Sequence, residues 1–262
     1  MIVHNFDPVF VNLGFFQIKW YSIAYILGII LGWIYAIKII KLKDNLIIIK
    51  PESFDNLVIY LIFGIILGGR LGYVFFYNFD YFIQNPLEIL KLWHGGMSFH
   101  GGLLGVIIAT LIFSKNKKIN FLNFTDVIAC VAPIGLFLGR IANFINGELF
   151  GKASTLPWAV IFPGGGGIAR HPSQIYEAIL EGIILFILLN FFALKKNLLI
   201  KTGYISGLFL IFYSILRIIS EYFREPDAHI GYIFFYFSMG TLLSLISFLA
   251  GCLIIFYKKK NE

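Results

Sequence analysis

The chain alternates between long apolar runs and short polar connections. Seven such runs can be counted, and most are close to the length of about twenty residues that an α-helix needs to cross a bilayer. Strands of a membrane barrel would instead be about ten residues long with alternating polarity. The pattern predicts an all-α, polytopic membrane protein with seven transmembrane helices: Ile18–Ile40, Phe54–Tyr77, Gly95–Phe113, Thr125–Ile145, Ile175–Leu194, Tyr204–Phe223 and Tyr232–Tyr257.

Composition supports the membrane assignment. Of the 262 residues, 59% are hydrophobic and 13% are charged, whereas about a quarter of the residues in a soluble domain are charged. A soluble globular domain is therefore excluded. The two cysteines, Cys130 and Cys252, lie inside apolar runs and show neither a disulfide framework nor the spacing of metal ligands. We expect no metal and no cofactor.

The basic residues predict the orientation, because Lys and Arg in short loops are retained on the cytoplasmic side. Of 21 basic residues, thirteen fall in one set of alternate connections or at the run ends beside them, five in the opposite set or at its run ends, and three well inside apolar runs. The predicted topology is N-terminus out and C-terminus in. The larger set comprises Lys38, Lys41, Lys43, Lys50, Lys115, Lys117, Lys118, Lys195, Lys196, Lys201, Lys258, Lys259 and Lys260.

The predicted outer connections are longer than the lysine-rich inner ones, so we expect the function to face outward. Residues 1–16 carry no Lys or Arg and are predicted to form an interfacial arm, with aromatic side chains at headgroup depth. The outer loop 146–174 contains Pro163 followed by four glycines and is predicted to act as a lid. No basic patch with interleaved aromatic residues indicates nucleic-acid binding. The arm aromatics are Phe6, Phe10, Phe15 and Phe16.

Small residues four apart recur in the apolar runs. Such pairs allow close helix packing in membranes, and we assign no chemistry to them. The pairs are Gly28/Gly32, Gly64/Gly68, Gly101/Gly105, Gly135/Gly139 and Gly203/Gly207.

Ionisable residues within the apolar runs are the first candidates for a functional site, because a charge at membrane depth costs several kcal/mol unless it is paired or hydrated. Arg140 and Asn143 share a helical face, and Glu148, two turns further on, is close enough in sequence to return to them. A guanidinium fork matches phosphate oxygens. This polar stripe therefore predicts a cavity that binds an anionic headgroup.

Two further arginines lie in apolar runs. Arg70 follows two glycines near the outer end of its run, and it either binds substrate or extends to the headgroups. Arg217, Glu221 and Arg224 project from one side of the sixth run, where one carboxylate between two guanidiniums leaves net positive charge. This trio either binds an anion or forms a structural ladder of ion pairs.

His100 lies at a glycine-rich helix start, Gly95-Gly-Met-Ser-Phe-His-Gly-Gly102. The helix dipole there disfavours imidazolium, so a neutral His100 is suited to accept a proton. The alternative is a histidine that only satisfies hydrogen bonds. His94 and His171 are expected in loops at the outer boundary, His4 in the arm and His229 in the last outer turn.

Four blocks together resemble the prolipoprotein diacylglyceryl transferase family. The first is Gly139-Arg-Ile-Ala-Asn-Phe-Ile-Asn-Gly-Glu-Leu-Phe-Gly151, and the second is the glycine-rich segment around His100. The others are Arg170-His-Pro-Ser-Gln-Ile-Tyr-Glu-Ala178 and Glu221-Tyr-Phe-Arg-Glu-Pro-Asp227. Their order and spacing extend over nearly the whole chain.

The resemblance implies a single catalytic domain, residues 1–262, in the bacterial cytoplasmic membrane. Such an enzyme moves the diacylglyceryl group of phosphatidylglycerol onto the lipobox cysteine of a prolipoprotein signal peptide, forms a thioether and releases glycerol 1-phosphate. By resemblance, Arg140 and Arg217 are the essential arginines and His100 the proposed base. The other matching positions are Tyr25, Asn143, Glu148 and Gly151.

The residues and the resemblance suggest one mechanism. His100, or a water that it positions, takes the thiol proton, and Arg140 and Arg217 neutralise the leaving phosphate. Glu148 and Glu221 would orient the guanidiniums, while Tyr25 would donate to an ester or phosphate oxygen. Arg70 and Arg224 are the remaining candidates for substrate binding. Two other classes stay open: a transporter or channel with an anion site, and a non-catalytic lipid-binding scaffold.

Overall fold

A computed structural model describes residues 2–14, 17–92, 95–226, 232–233 and 237–261. Within these ranges, seven helices are long and apolar enough to cross a membrane, which confirms the predicted fold class. The predicted orientation stays a prediction. The long helices are α1 (Trp20–Leu42), α2 (Pro51–Tyr77), α4 (Phe99–Lys117), α5 (Phe121–Ile145), α6 (Ser173–Lys195), α7 (Tyr204–Glu221) and α8 (Met239–Asn261), and a short helix α3 (Phe79–Gln84) follows α2.

The third and the last helix begin later than predicted. Helix α4 begins at Phe99 because Ser98 is its N-cap and accepts a hydrogen bond from the Gly101 amide. Gly95 and Gly96, which were expected inside the helix, have positive φ angles of 78° and 79°. The last helix begins later than expected because the residues before it form an antiparallel hairpin of β6 (Tyr232–Ile233) and β7 (Phe237–Ser238).

Helix α6 is not a regular α-helix. It begins with an α-helical turn, Ser173–Glu177, continues as a π-helix over Ala178–Ile184, returns to α-helix over Leu185–Asn190 and ends in a second π-helical segment, Phe191–Lys195. Short π-helical insertions are frequent at functional sites. The first of them contains Glu181.

The chain divides into two compact units. In the unit formed by Ile40–Thr125, helices α2 and α4 pack through their glycines. A Cβ atom on Gly105 would lie 1.9 Å from the Gly64 carbonyl oxygen, and one on Gly68 would lie 2.3 Å from the Gly101 carbonyl oxygen. Only glycine permits this approach of two backbones, which confirms the packing role predicted for these two pairs.

The other unit contains the residues before and after that segment. Asp126 on α5 is buried and accepts hydrogen bonds from the Gly203 amide (2.6 Å) and from the Ser206 amide and hydroxyl (2.7 Å each), so it anchors the start of α7. Gly203 does not serve helix packing, as the sequence suggested. It is the left-handed residue before α7, with φ of 93°. Gly207 instead packs against the backbone of Gly251 on α8.

The N-terminal arm and the loop 146–174 share a small sheet in this unit. Strand β1 (Ile2–Val3) pairs in parallel with β4 (Val160–Ile161), which pairs in antiparallel fashion with β5 (Ala169–Arg170). A separate hairpin joins β2 (Val9–Asn12) and β3 (Gln17–Lys19). His4 is buried, and its Nε2 lies 2.7 Å from the Phe144 carbonyl oxygen at the end of α5. Phe15, Phe16, His94 and His229 lie outside the described residues.

Candidate active site

Two arginines from different helices meet two glutamates of α6. Arg140 Nε lies 2.8 Å from Glu177 Oε2, and Arg140 Nη2 lies 3.1 Å from Glu181 Oε2. Arg217 Nη1 lies 3.1 Å from Oε1 of both glutamates. Each carboxylate therefore bridges α5 and α7, and its burial is offset by two guanidiniums.

Further contacts extend this set along α7. Arg217 Nη2 lies 2.7 Å from Glu221 Oε2, and Arg224 Nη1 lies 3.5 Å from Glu177 Oε1. The Ser220 hydroxyl donates to Glu181 Oε1 at 3.2 Å. We call the six ionic residues the arginine–glutamate cluster: Arg140, Arg217, Arg224, Glu177, Glu181 and Glu221.

The cluster is balanced in formal charge, with three arginines and three glutamates. The net positive charge expected for the sixth apolar run is therefore offset by Glu177 and Glu181 of the fifth run. Both glutamate side chains are 0% exposed, whereas the side chain of Arg140 is 17% exposed. No contact within the described residues engages Arg140 Nη1. A donor edge of this guanidinium is left for another ligand.

A second polar group lies beside Arg140 on α5. The Asn143 side-chain amide donates to Glu148 Oε1 at 2.8 Å and to the Tyr21 hydroxyl at 3.4 Å. The ring of Tyr25 packs against Tyr21, with centroids 5.3 Å apart. The expected return of Glu148 to the α5 stripe is confirmed, but its expected partner is wrong: it holds Asn143, and the carboxylates that hold Arg140 come from α6.

The turn that carries Glu148 is fixed from α6. The Gln174 amide donates to the Glu148 carbonyl oxygen at 2.6 Å, and the Ser173 hydroxyl donates to the Leu149 carbonyl oxygen at 3.0 Å. Both side chains are fully buried, and Gln174 Oε1 has no hydrogen-bond partner within the described residues. The first turn of α6 therefore positions Glu148 as well as presenting Glu177.

Gly151 lies where three backbone segments come together. Its amide donates to the His171 carbonyl oxygen at 2.9 Å, and it forms a bridge with Arg224. A Cβ atom on Gly151 would lie 2.4 Å from the Phe223 carbonyl oxygen and 2.7 Å from the His171 Cβ. Only glycine fits here, which gives a structural reason for the last residue of the Gly139–Gly151 block.

The loop 146–174 is held by Arg170 and His171. Arg170 donates to the carbonyl oxygens of Gly165 (2.8 Å) and Gly151 (3.2 Å) and pairs with Glu225 at 3.1 Å. His171 Nδ1 lies 3.2 Å from the Tyr176 hydroxyl. Partial burial lowers the pKa of His171, and the charge of Lys152 lowers it further. The lid role of this loop stays a prediction.

Within the described residues, every hydrogen bond of Arg70 goes to a backbone carbonyl oxygen. Its guanidinium donates to five carbonyl oxygens and lies 5.1 Å from the Phe82 ring centroid. A guanidinium has five N–H donors, so none remains for a headgroup. The residue is 4% exposed, and neither alternative given for Arg70, substrate binding or extension to the headgroups, anticipated these backbone partners. The acceptors are the carbonyl oxygens of Glu88, Ile89, Lys91, Gly95 and Gly96.

His100 is the second residue of α4 and is exposed. Its ring packs edge-on against the ring of Phe99, with centroids 5.6 Å apart. The predicted position at a helix start is confirmed. His100 and Arg70 belong to the unit Ile40–Thr125, whereas the arginine–glutamate cluster belongs to the other unit. The role of His100 as a base stays a prediction.

Comparison with known proteins identifies the family. The model of a family described as prolipoprotein diacylglyceryl transferase matches residues 8–257. A phosphatidylglycerol–prolipoprotein diacylglyceryl transferase of Rhodospirillum rubrum is 50% identical over 257 residues, which cover 98% of this chain and 93% of the relative. The chain belongs to the prolipoprotein diacylglyceryl transferase family.

Relatives with the same name occur in the genus Rickettsia. The protein of Rickettsia bellii is 51% identical over 255 residues, or 97% of this chain and 96% of the relative. That of Rickettsia typhi is 50% identical over 256 residues, or 97% and 98%. The chain is therefore a transferase of lipoprotein maturation and a multi-pass membrane protein.

Sequence reasoning missed Glu177 and Glu181. Both lie in the fifth predicted run, four residues apart, and a carboxylate within an apolar run has the same cost as an arginine. Counting the acidic residues inside the runs, as was done for the basic ones, would have indicated partners for Arg140 and Arg217. Gln174 gave no such signal, because its contact is to a backbone carbonyl.

Proposed function

We propose that this transferase moves the diacylglyceryl group of phosphatidylglycerol onto the thiol of the lipobox cysteine of a prolipoprotein. The reaction forms a thioether and releases glycerol 1-phosphate. The names of the relatives supply the two substrates. The observation that carries the proposal is the guanidinium of Arg140, which carboxylates hold on two edges while its Nη1 edge stays open.

The cluster is suited to a leaving phosphate. A carbon–sulfur bond forms as the bond between the glyceryl carbon and the phosphate oxygen breaks, and the electron pair moves to that oxygen. Donors that are already in place stabilise charge developing in a low-dielectric site and can contribute about 10²–10³ in rate each. Glu177 and Glu181 fix the Arg140 and Arg217 forks before the substrate arrives, so the reaction does not have to order two long side chains.

The remaining roles follow from position. Asn143 and Glu148 lie beside Arg140, and Tyr25 packs against the Tyr21 ring that borders them. We assign these groups to the ester and headgroup of the lipid. His100, the second residue of α4, is proposed to accept the thiol proton, as the resemblance to the family implies. Arg70 is proposed to hold the segment before that helix.

The site is proposed to face outward, in the cytoplasmic membrane of a bacterium. Thirteen basic residues in alternate connections support this orientation. The substrates support it as well, because a signal peptide presents its lipobox after export has begun. Cysteine-scanning with a membrane-impermeant thiol reagent on intact cells tests the orientation: a cysteine in loop 146–174 should react, and one replacing Lys117 should not.

A transfer assay tests the reaction. Purified protein receives phosphatidylglycerol labelled in the glyceryl backbone and a peptide with a single lipobox cysteine, and mass spectrometry follows the peptide. The proposal predicts a thioether-linked diacylglyceryl peptide and an equal amount of glycerol phosphate. Lipid movement without peptide modification would favour a transporter, and binding without either would favour a scaffold.

The protein's own cysteines provide a control. Cys130 is buried and Cys252 lies on α8, and both are free thiols. Because the peptide supplies the nucleophile, the double alanine variant should keep its transfer rate per amount of folded protein. A peptide with serine in place of the lipobox cysteine should remain unmodified, and modification of that peptide would contradict thiol attack.

A further inference from the structure

The charge balance of the arginine–glutamate cluster carries a consequence for its ligand. Three glutamates contact three arginines, so an anion that binds here meets no excess of positive charge among the described residues. Glu148, bonded to Asn143 one turn from Arg140, adds a further carboxylate nearby. Many phosphate sites instead offer uncompensated cations. The arrangement found here suits a weakly charged ligand.

We infer that the cluster selects a singly charged phosphodiester over a doubly charged phosphomonoester, and that this selectivity expels the product. The inference rests on the proposed function and adds a basis for product release. A phosphodiester lipid carries one negative charge. A phosphomonoester carries about −1.5 to −2 at pH 7, because its second pKa is near 6.

The reaction itself changes the charge at the site. The substrate phosphate is a monoanionic diester, and cleavage of its bond to the glyceryl carbon leaves the electron pair on a phosphate oxygen. The thiol proton leaves with the base. The phosphate thus gains about one negative charge. The open edge of Arg140 stabilises this charge as it develops, but the cluster as a whole stays neutral, so the completed dianion is held less favourably here than in water, where it is fully hydrated.

The geometry limits compensation for that extra charge. Glu177 and Glu181 are fully buried and ion-paired, and the open donor edge identified on Arg140 is Nη1. Charges a few ångströms apart in a protein interact far more strongly than in water. The second charge of a monoester therefore meets carboxylates already engaged with the same guanidiniums, and the three glutamates determine specificity as well as orienting the arginines.

Removal of one carboxylate tests the inference. Glu221→Gln keeps the shape of the side chain, breaks a single ion pair (2.7 Å to Arg217) and raises the charge of the cluster by one. Inhibition of transfer is measured with two soluble probes, glycerol 1-phosphate and the diester glycerophosphoglycerol. Because the added attraction scales with ligand charge, a tenfold gain in monoester affinity should accompany only about a threefold gain for the diester.

The opposite change should have the opposite sign. Arg224→Gln lowers the charge of the cluster by one. The affinity of this variant for glycerol 1-phosphate should fall more than its affinity for the diester. Glu181→Gln is the second carboxylate variant, in case Glu221→Gln does not fold. Glu225→Gln is the matched control: it removes one carboxylate that pairs with Arg170 outside the cluster, and the ratio of the two inhibition constants should not change.

The results separate this inference from the proposed function. The inference is supported if the affinity for the monoester rises more than the affinity for the diester in Glu221→Gln or Glu181→Gln. Equal changes for both probes, or weaker binding of both, overturn it while the thioether product still supports the transferase. Absence of a thioether product from the unsubstituted protein would instead contradict the proposed function.

Discussion

Two arginines, Arg70 and Arg140, solve the same physical problem in different ways. Both lie in apolar helices, where an unpaired guanidinium costs several kcal/mol. Arg70 is 4% exposed and donates all five N–H groups to backbone carbonyl oxygens, those of Glu88, Ile89, Lys91, Gly95 and Gly96. Arg140 pairs with two carboxylates and keeps an edge open, with 17% of its side chain exposed.

The difference separates a structural arginine from a binding arginine. Carbonyl oxygens that surround a guanidinium hold a loop and use up every donor. Carboxylates hold the side chain in place but leave the planar fork partly available. The two arginines lie at comparable places in their helices, so position along the helix does not separate them, whereas the number of open donors does.

The largest effects are expected when each of the two arginines is replaced by glutamine. Arg140→Gln should lower the transfer rate about 10³-fold because a transition-state donor is lost. Its stability should change less, since Glu177 and Glu181 keep Arg217. Arg70→Gln should destabilise the fold by about 3 kcal/mol, because several carbonyls lose their donors. Transfer rates and thermal unfolding in the same detergent measure both.

The reverse pattern would break the comparison. If Arg70→Gln abolished transfer with an unchanged unfolding temperature, Arg70 would be a ligand of the substrate. If Arg140→Gln unfolded the protein and the surviving fraction turned over normally, Arg140 would be a structural residue.

His100 tests whether the unit that contains Arg70 contributes chemistry as well as structure. A general base typically contributes 10²–10⁴ in rate, so His100→Gln should lower transfer by about 100-fold and remove the acidic limb of the pH–rate profile. His94→Gln, six residues earlier in the sequence, serves as a histidine control and should keep that limb. Substantial activity of His100→Gln with an unchanged acidic limb would exclude His100 as the base.

Gly151 tests how tightly the loop must be built around the cluster. Gly151→Ala places a Cβ atom 2.4 Å from the Phe223 carbonyl oxygen, next to Arg224, and should lower transfer by roughly tenfold through displacement of that segment. Gly164→Ala in the same loop meets only the Phe150 ring at 3.8 Å and should be tolerated. Equal transfer rates of the two variants would contradict the proposal that the close backbone packing at Gly151 matters for activity.

The sequence was sufficient for the seven spans, for the stripe of Arg140, Asn143 and Glu148, and for the position of His100 at a helix start. These follow from apolar length and helical spacing, which are local properties. It was not sufficient for the partners of the arginines. Glu177 and Glu181 are distant in the chain, although their acidic signal inside an apolar run was present.

Other features left no readable signal at all. Any residue type supplies a carbonyl oxygen, so nothing in the sequence marks the five residues that accept hydrogen bonds from Arg70. The strands before α8 consist of the same kind of apolar residues as a helix would. The sequence also does not identify Ser238 as the cap of α8, a role shown by its hydroxyl, which accepts a hydrogen bond from the Thr241 amide at 3.2 Å. The π-helical turns of α6 likewise depend on packing.

The smallest effect concerns the loop alone. The pKa of His171 is lowered by burial and by the charge of Lys152, so the unfolded chain binds a proton more readily than the folded protein does. The free energy of unfolding therefore rises as the pH rises from the lowered pKa of the folded protein to the ordinary pKa of histidine. Below the ordinary value of about 6.5, this contribution is lost as pH falls through the folded pKa. Thermal unfolding between pH 5 and 7 should therefore be slightly less pH-dependent in His171→Asn. An identical profile would contradict the shift.

The most direct measurement is phosphatidylglycerol turnover by Arg140→Lys at saturating peptide, with the amount of folded protein determined in parallel. The lysine keeps the charge but lacks the planar fork. If the open edge of the guanidinium grips the phosphodiester, Arg140→Lys should be nearly as inactive as Arg140→Ala, at least about 100-fold below the unsubstituted enzyme. Near-normal turnover by the lysine variant would contradict recognition by the fork and leave only charge.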